Sequence, residues 1–426
     1  MSVIPCLSWV RSLWGQVHGL FGSVMTVYSD LPDEIIADIL GRLPAECVFL
    51  CGDSHTPLGA LTRTPSFADM HLNRVTPVTA FQYFFLSDKM SKYGREIRIH
   101  FTHEVVADKI VSKSIDIDLT LACPKKGSAP LLFGSYNGFL LFKNLEYDSV
   151  LVLWNPITQE QVTLIAPHDG YRVRGIFFHS TDKEYRVIFI SLKSGCFEFV
   201  IFSLKTKSSR IITGFTHPPS GIIAPTVLNG VLHWMICDES YKEAHGFYPC
   251  CENSIVSFNT NSEELRTMRH PGPPCGARKE HNMMKLMEKD GQLLFFDDSL
   301  CGRIVVWTLI DYEKEVWVKK HVITLKPLNL FCRARRCNCN HMIVEVWYIF
   351  GEELLLRVGC KDLLLYDPEL CTMRRVGEKS KKTDLESVLF SLKNIHLPVT
   401  AVLHVNSLVS LHTDKIVYLF KDDELT

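Results

Sequence analysis

The stretch Leu151-Val152-Leu153-Trp154-Asn155-Pro156-Ile157-Thr158 is the key to the architecture, because variants of it return down the chain. Each is an apolar run that ends in an aromatic residue and gives way to polar turn formers. They read Phe199-Val200-Ile201-Phe202-Ser203-Leu204-Lys205-Thr206, Ser254-Ile255-Val256-Ser257-Phe258-Asn259-Thr260-Asn261-Ser262, Arg303-Ile304-Val305-Val306-Trp307-Thr308-Leu309 and Leu363-Leu364-Leu365-Tyr366-Asp367-Pro368. The aromatics stand at 154, 202, 258, 307 and 366, so the steps between them are 48, 56, 49 and 59 residues. Short apolar runs bounded by Gly, Asn, Asp, Ser and Pro are strands. A drifting period near fifty, with several strands in each period, implies small sheets that stack around an axis because none can bury both faces alone.

A second signal precedes most of these runs. Gly134-Ser135-Tyr136-Asn137-Gly138-Phe139-Leu140-Leu141, Leu228-Asn229-Gly230-Val231-Leu232-His233-Trp234 and Lys289-Asp290-Gly291-Gln292-Leu293-Leu294 each carry an Asn-Gly or Asp-Gly pair before a strand. Both residues of such a pair tolerate positive φ, which a tight hairpin needs. The expected fold is mainly β, an irregular kelch-like β-propeller over residues 77–420, with an irregular β-sandwich as the competing arrangement. Residues 279–289 are the main hint of helix in this region, ended by Gly291. Trp154, Trp234, Trp307, Trp317 and Trp347 are expected to anchor the cores of successive blades, and His233 to be a satisfied core histidine.

Ahead of the strands lies Ser29-Asp30-Leu31-Pro32-Asp33-Glu34-Ile35-Ile36-Ala37-Asp38-Ile39-Leu40-Gly41-Arg42-Leu43-Pro44. Ser29 or Asp30 can cap a helix there, Pro32 suits its first turn, and Asp33 and Glu34 face the positive end of its dipole. Pro44 is expected to stop it. Leu31, Ile35, Ile36, Ile39, Leu40 and Leu43 recur at three- and four-residue steps as one apolar stripe. Further on, Gly52-Asp53-Ser54-His55-Thr56-Pro57-Leu58-Gly59-Ala60-Leu61 reads as a poor helix, since Pro57 removes a hydrogen bond and the two glycines add entropy to be lost on ordering. Thr64-Pro65-Ser66-Phe67-Ala68-Asp69-Met70-His71-Leu72-Asn73-Arg74 closes this region.

Composition narrows the possible functions. The 426 residues carry a formal net charge of −1, which implies no broad attraction to nucleic acid or anionic lipid. Fifteen cysteines, an odd number that includes the adjacent pair Cys250-Cys251, suit free thiols in the cytoplasm or nucleus better than a disulfide framework. Cys332, Cys337, Cys339 and His341 are spaced unlike a paired zinc knuckle and are crowded by Arg333, Arg335 and Arg336, so that loop reads as a solvated basic loop or a partner contact. No metal and no cofactor are expected. There is no Gly-x-Ser-x-Gly elbow, phosphate loop or His-Glu-x-x-His pair, so no catalytic residue is assigned. Residues 1–28 place Val10, Leu13, Trp14, Val17, Leu20, Phe21 and Val24 on one helical face. They form an apolar extension too short and too interrupted to span a bilayer, and no membrane role is expected.

Two resemblances add to this reading. The Leu31-to-Pro44 string resembles the opening of an F-box, and residues 29–74 are similar to that all-α module in plant F-box proteins. The Val-Cys-Lys-x-Trp core usual there is missing from residues 52–61, so the third F-box helix is expected to be degenerate. The strand phrases, together with Val405-Asn406-Ser407-Leu408-Val409-Ser410-Leu411, resemble the plant F-box-associated domain in the same order. The resemblance implies a substrate-recognition subunit of an SCF-type cullin ubiquitin ligase, without an active site of its own. On it, Leu31, Pro32, Ile35, Ile36, Ile39, Leu40, Leu43 and Pro44 would serve a Skp-type adaptor that bridges to a cullin, and the β domain would hold a target protein. The alternative is a propeller interaction protein uncoupled from the ligase. A kelch-type copper oxidase would need His and Tyr ligands at a blade mouth, and no paired spacing offers them.

Overall fold

The computed structural model describes most of residues 31–418; the longer segments outside it are 1–30, 84–96, 103–111, 118–129, 325–343 and 376–399. The apolar N-terminal extension and the Cys332–His341 loop therefore lie outside the described residues.

Among the described residues four helices come first: α1 (Asp33–Leu40), α2 (Ala45–Ser54), α3 (Thr56–Thr62) and α4 (Pro65–Leu72). Pro32 is the N-cap of α1 rather than part of its first turn, and its carbonyl accepts from the amides of Ile35 and Ile36 at 3.0 and 3.2 Å. The helix stops at Leu40, four residues before the proline expected to end it. Gly41 caps it and lies where a side chain would press on the Met70 methyl. Pro44 instead opens α2, its carbonyl accepting from Cys47 and Val48. The segment expected to be a poor helix is helical on both sides of residue 55. Pro57 falls in the first turn of α3, where its missing amide costs no hydrogen bond. Gly52 and Gly59 let α2 and α3 touch, because a Cβ on Gly59 would collide with the Gly52 carbonyl oxygen. Thr64 caps α4 by accepting from the Phe67 amide at 3.3 Å.

The remaining chain forms six sheets among the described residues, and they are the blades of a β-propeller. Blade I joins β1 (Val78–Tyr83), β2 (Ile97–Thr102) and β3 (Ser112–Ile117) to the late strand Thr400–His404. Blade II has β4 (Leu131–Tyr136), β5 (Phe139–Lys143), β6 (Val150–Trp154) and β7 (Gln161–Ile165). Blade III has β8 (Tyr171–His179), β9 (Glu184–Lys193), β10 (Cys196–Ser203) and β11 (Ser209–Ile212). Blade IV has β12 (Thr226–Leu228), β13 (Val231–Met235), β14 (Ile255–Asn259) and β15 (Leu265–Met268). Blade V has β16 (Lys285–Lys289), β17 (Gln292–Asp297), β18 (Arg303–Asp311) and β19 (Val316–Thr324). Blade VI has β20 (Val344–Phe350), β21 (Glu353–Val358), β22 (Asp362–Asp367) and β23 (Thr372–Arg375), after which β24 (Thr400–His404) returns to pair with β1 and closes the ring. The last described strand, β25 (Ile416–Tyr418), adds in parallel to the outer edge of blade II. The hint of helix near residue 285 is overturned: Lys285–Lys289 is strand β16, paired with β17 through the Asp290-Gly291 turn. A helix does occur at α5 (Asp238–His245), which interrupts blade IV and ends on Gly246 at φ 80°.

The recurrent phrase is the third strand of its blade in all five copies. In four of them the polar residue after the aromatic folds the turn into the fourth strand, whereas β18 runs on past Trp307 to Asp311. Asn155 Oδ1 accepts from the amides of Ile157 and Thr158, Asn259 Oδ1 from Asn261 and Ser262, and Asp367 Oδ1 from Glu369 and Leu370. The Asn-Gly and Asp-Gly pairs make the first-to-second hairpins, with φ of 47° and 87° at Asn137 and Gly138. Apolar side chains fill the spaces between neighbouring blades: Leu140, Phe142 and Val152 of blade II meet Val78, Ala80 and Ile99 of blade I. Phe177, Phe199 and Ile201 of blade III meet Trp234, Val256 and Phe258 of blade IV. Trp154 and Trp234 are buried as expected, Trp307 and Trp317 are half-buried against the blade IV–V core, and the Trp347 side chain lies outside the described residues.

Candidate functional site

The apolar stripe of α1 is not one face but two. Ile36 and Leu40 point inward and are packed with Val48, Leu58 and Phe67 in the core of the helical module. Leu31 and Leu43 are half-buried at its margin. Pro32 and Pro44 are exposed, and Ile35 and Ile39 remain 48% and 37% exposed. A helix that keeps two isoleucines, four residues apart, in water presents a ridge suited to a partner. Beside it, Asp38 accepts from Arg42 Nη2 at 2.8 Å and from Arg74 Nη1 at 2.9 Å. The hydrogen bond from Arg74, seconded by Arg42, holds its carboxyl below the usual carboxylate range. Arg74 thereby ties the end of the module to its first helix. His71, fully buried, donates from Nε2 to the Leu43 carbonyl at 2.8 Å and fixes the turn between α1 and α2.

This module is clasped to the ring. Asn406 Nδ2 donates to Glu46 Oε1 at 3.0 Å, and Leu408 packs against both the helical core and the blade II–III core, where Ala68 is also buried. The buried Asn155 donates from Nδ2 to the carbonyls of Ser407 and Val409 at 3.0 and 2.9 Å. Gly138 accepts Ser407 where a Cβ would overlap it. The strand phrase and the 405–411 segment are thus two halves of one joint, at the end of the ring where the first-to-second and third-to-fourth turns emerge. The second-to-third connections and the blade-to-blade crossovers emerge at the other end, as antiparallel blades require.

Part of the chain lies against the inner strands of blades II and III. The crossover from blade III to blade IV turns inward, so that the Ala224 amide donates to Phe133 of β4 at 3.1 Å. Arg174 Nε donates to the Pro219 carbonyl and Lys143 Nζ to the Gly221 carbonyl of the same crossover. Clefts sit at the turn end. One of 520 Å³, between blades IV and V, is lined by residues including Asn229, Arg266 and Tyr312. Another of 470 Å³ is lined by Arg186, which bonds to Glu184 and Glu263 at 2.6 Å each and links blades III and IV. His233 is the satisfied core histidine expected: its Nδ1 donates to the Thr226 carbonyl and its Nε2 accepts from the Tyr312 hydroxyl at 2.7 Å. Among the described residues one group can hold a metal ion, Cys251, His270, Cys275 and His281, which spacing did not flag. No helix among the described residues is long and apolar enough to cross a membrane.

Comparison with known proteins agrees with this architecture. The family described as F-box associated beta propeller domain matches residues 89–404. F-box protein At3g07870 of Arabidopsis thaliana is 24% identical, over 80% of this chain and 85% of that one. F-box protein CPR1 of the same plant is 24% identical over 68% of this chain and 72% of its own length. An oligogalacturonate lyase solved in complex with manganese superposes at a TM-score of 0.34 with 12% identity, over 72% of this chain and 87% of that one, too slight a likeness to bear on function.

Proposed function

Because the chain belongs to the F-box associated beta propeller family, we propose that it is the substrate-recognition subunit of an SCF-type cullin ubiquitin ligase. The helical module at residues 29–74 docks on a Skp-type adaptor, the adaptor joins it to a cullin, and the β domain at 77–420 holds the target protein. The observation that carries this reading is the division of the α1 stripe. Ile36 and Leu40 maintain the module, while Pro32, Ile35 and Ile39 stay in water beside half-buried Leu31 and Leu43 and exposed Pro44. In this role the chain has no active site; it contributes proximity, raising the effective concentration of a target lysine near a charged ubiquitin donor. A rigid joint serves that task, and the Asn155, Ser407 and Glu46 contacts supply one. No nucleic acid, membrane or cofactor is required, and the cytoplasm or nucleus, where such ligases act, is the expected compartment.

The second reading, an interaction protein uncoupled from the ligase, is motivated by the altered 52–61 segment. With Thr56–Thr62 helical, it rests on missing side chains rather than on a missing helix. Co-expression with a Skp-type adaptor, followed by gel filtration, separates the two. Co-elution as a stoichiometric complex is expected, and an adaptor that elutes alone would favour the uncoupled protein.

A further inference from the structure

At the end of the ring away from the helical module, four soft donors converge from two separate connections. Cys251 sits in the loop that leads into β14, within the short 3-10 helix Cys251–Asn253. His270, Cys275 and His281 belong to the crossover from β15 to β16. The β14–β15 hairpin carries the chain out and back, so positions 19, 5 and 6 residues apart in sequence (251 to 270, 270 to 275, 275 to 281) meet at one point. One ligand atom from each lies within 4.8 Å of the others. Cys251, His270 and His281 are buried and Cys275 is half-buried.

The imidazoles are already oriented. His281 donates from Nδ1 to Asp238 Oδ1 at 2.8 Å, and Asp238 is 1% exposed. His270 donates from Nδ1 to the Pro271 carbonyl at 2.8 Å. Each ring therefore turns its Nε2 inward, to 3.6 and 3.3 Å from the Cys275 sulfur. A carboxylate or carbonyl on the outer nitrogen is the usual support of a metal-bound histidine. Tetrahedral zinc, with Zn–S near about 2.3 Å and Zn–N near about 2.0 Å, sets sulfur-to-nitrogen separations of about 3.5 Å. The two observed separations bracket that value. Two thiolates and two neutral imidazoles would also cancel the charge of the ion in a buried place, where an uncompensated charge is costly.

We propose that Cys251, His270, Cys275 and His281 form a structural zinc site. Closed by four protein ligands, it would bind no substrate; it would pin the loop into β14 and the blade IV–V crossover to the start of α5, where Asp238 also accepts the His281 amide at 2.7 Å. The same groups could be read as a Cys–His–Asp nucleophile. That needs a thiol open to substrate, and it leaves His270 and Cys251 without a role.

The test uses the full chain, purified with reductant and without added metal. Elemental analysis should find about one zinc per chain, and X-ray absorption at the zinc edge should show two sulfur and two nitrogen neighbours. Cys275→Ser and His281→Ala should lose the zinc, while Cys250→Ser and the pair Cys337→Ser/Cys339→Ser should keep it. If the ligand variants fail to fold, the wild-type stoichiometry and absorption spectrum still decide. Protein free of zinc, a different ligand shell, loss of zinc in Cys337→Ser/Cys339→Ser, a Cys251–Cys275 disulfide, or rapid alkylation of Cys275 in zinc-free folded protein would each overturn the proposal.

Discussion

Asn155 shows how much one side chain can carry. It is fully buried, accepts two amides of its own turn and donates to two carbonyls of the 405–411 segment. Asn155→Ala would strand several buried backbone groups at once. A loss of about 3 kcal/mol is expected, since each unsatisfied buried group costs about 1–3 kcal/mol. Urea denaturation of the two proteins measures it, and a change under half that size would mean that water replaces the side chain. The buried histidines make a second prediction at this scale. Burial holds His233 down to about 4, and His404 to about 3, against an ordinary 6.5. The unfolded chain therefore takes up these protons first as the pH falls. The contribution of these two histidines to stability is complete above about pH 6.5 and is lost as the pH drops toward the folded values. A shift of this size at His233 corresponds to about 3 kcal/mol, from about 1.4 kcal/mol for each pH unit. Denaturation midpoints from pH 7.5 to 5 should fall less steeply in His233→Gln; parallel curves would count against it.

At the level of elements, what the sequence disclosed was governed by local chemistry. Aromatic-ended strands and Asn-Gly turns are written in neighbouring residues, so Trp154, Phe202, Phe258, Trp307 and Tyr366 marked five third strands correctly. Phe101 in β2, 53 residues before Trp154 (154 − 101), is the copy passed over, because its blade is assembled from both ends of the β region. The helix α5 was missed although Asp238, Glu239 and the positive φ at Gly246 bound it. The misjudged segment at 52–61 failed for a tertiary reason. Its glycines are unfavourable in isolation, yet they let α2 and α3 come into backbone contact. Gly59→Ala should accordingly destabilise the module by about 1–3 kcal/mol, as overpacking does, rather than stabilise it as helix propensity alone would suggest. Hydrogen exchange of α2 and α3 amides reads the effect, and slower exchange in the variant would contradict the packing. The Cys251–His281 group was illegible for the same reason, since a hairpin separates its first ligand from the rest.

The whole molecule joins two surfaces through one joint, and the proposed role depends on what α1 leaves uncovered. The core positions Ile36 and Leu40 and the exposed positions Ile35 and Ile39 share one helix. Substitution therefore separates folding from docking. The most direct measurement is isothermal titration of the full chain with a purified Skp-type adaptor, wild type against Ile35→Asp/Ile39→Asp, with melting temperature as the control for folding. The few residues that anchor an interface each contribute about 2 kcal/mol or more. One-to-one binding is expected, weakened at least about 30-fold in the variant, the equivalent of about 2 kcal/mol, with the melting temperature unchanged. A wild-type chain that does not bind the adaptor, or a folded variant that binds it equally well, would contradict the assignment of this helix and of the ligase role built on it.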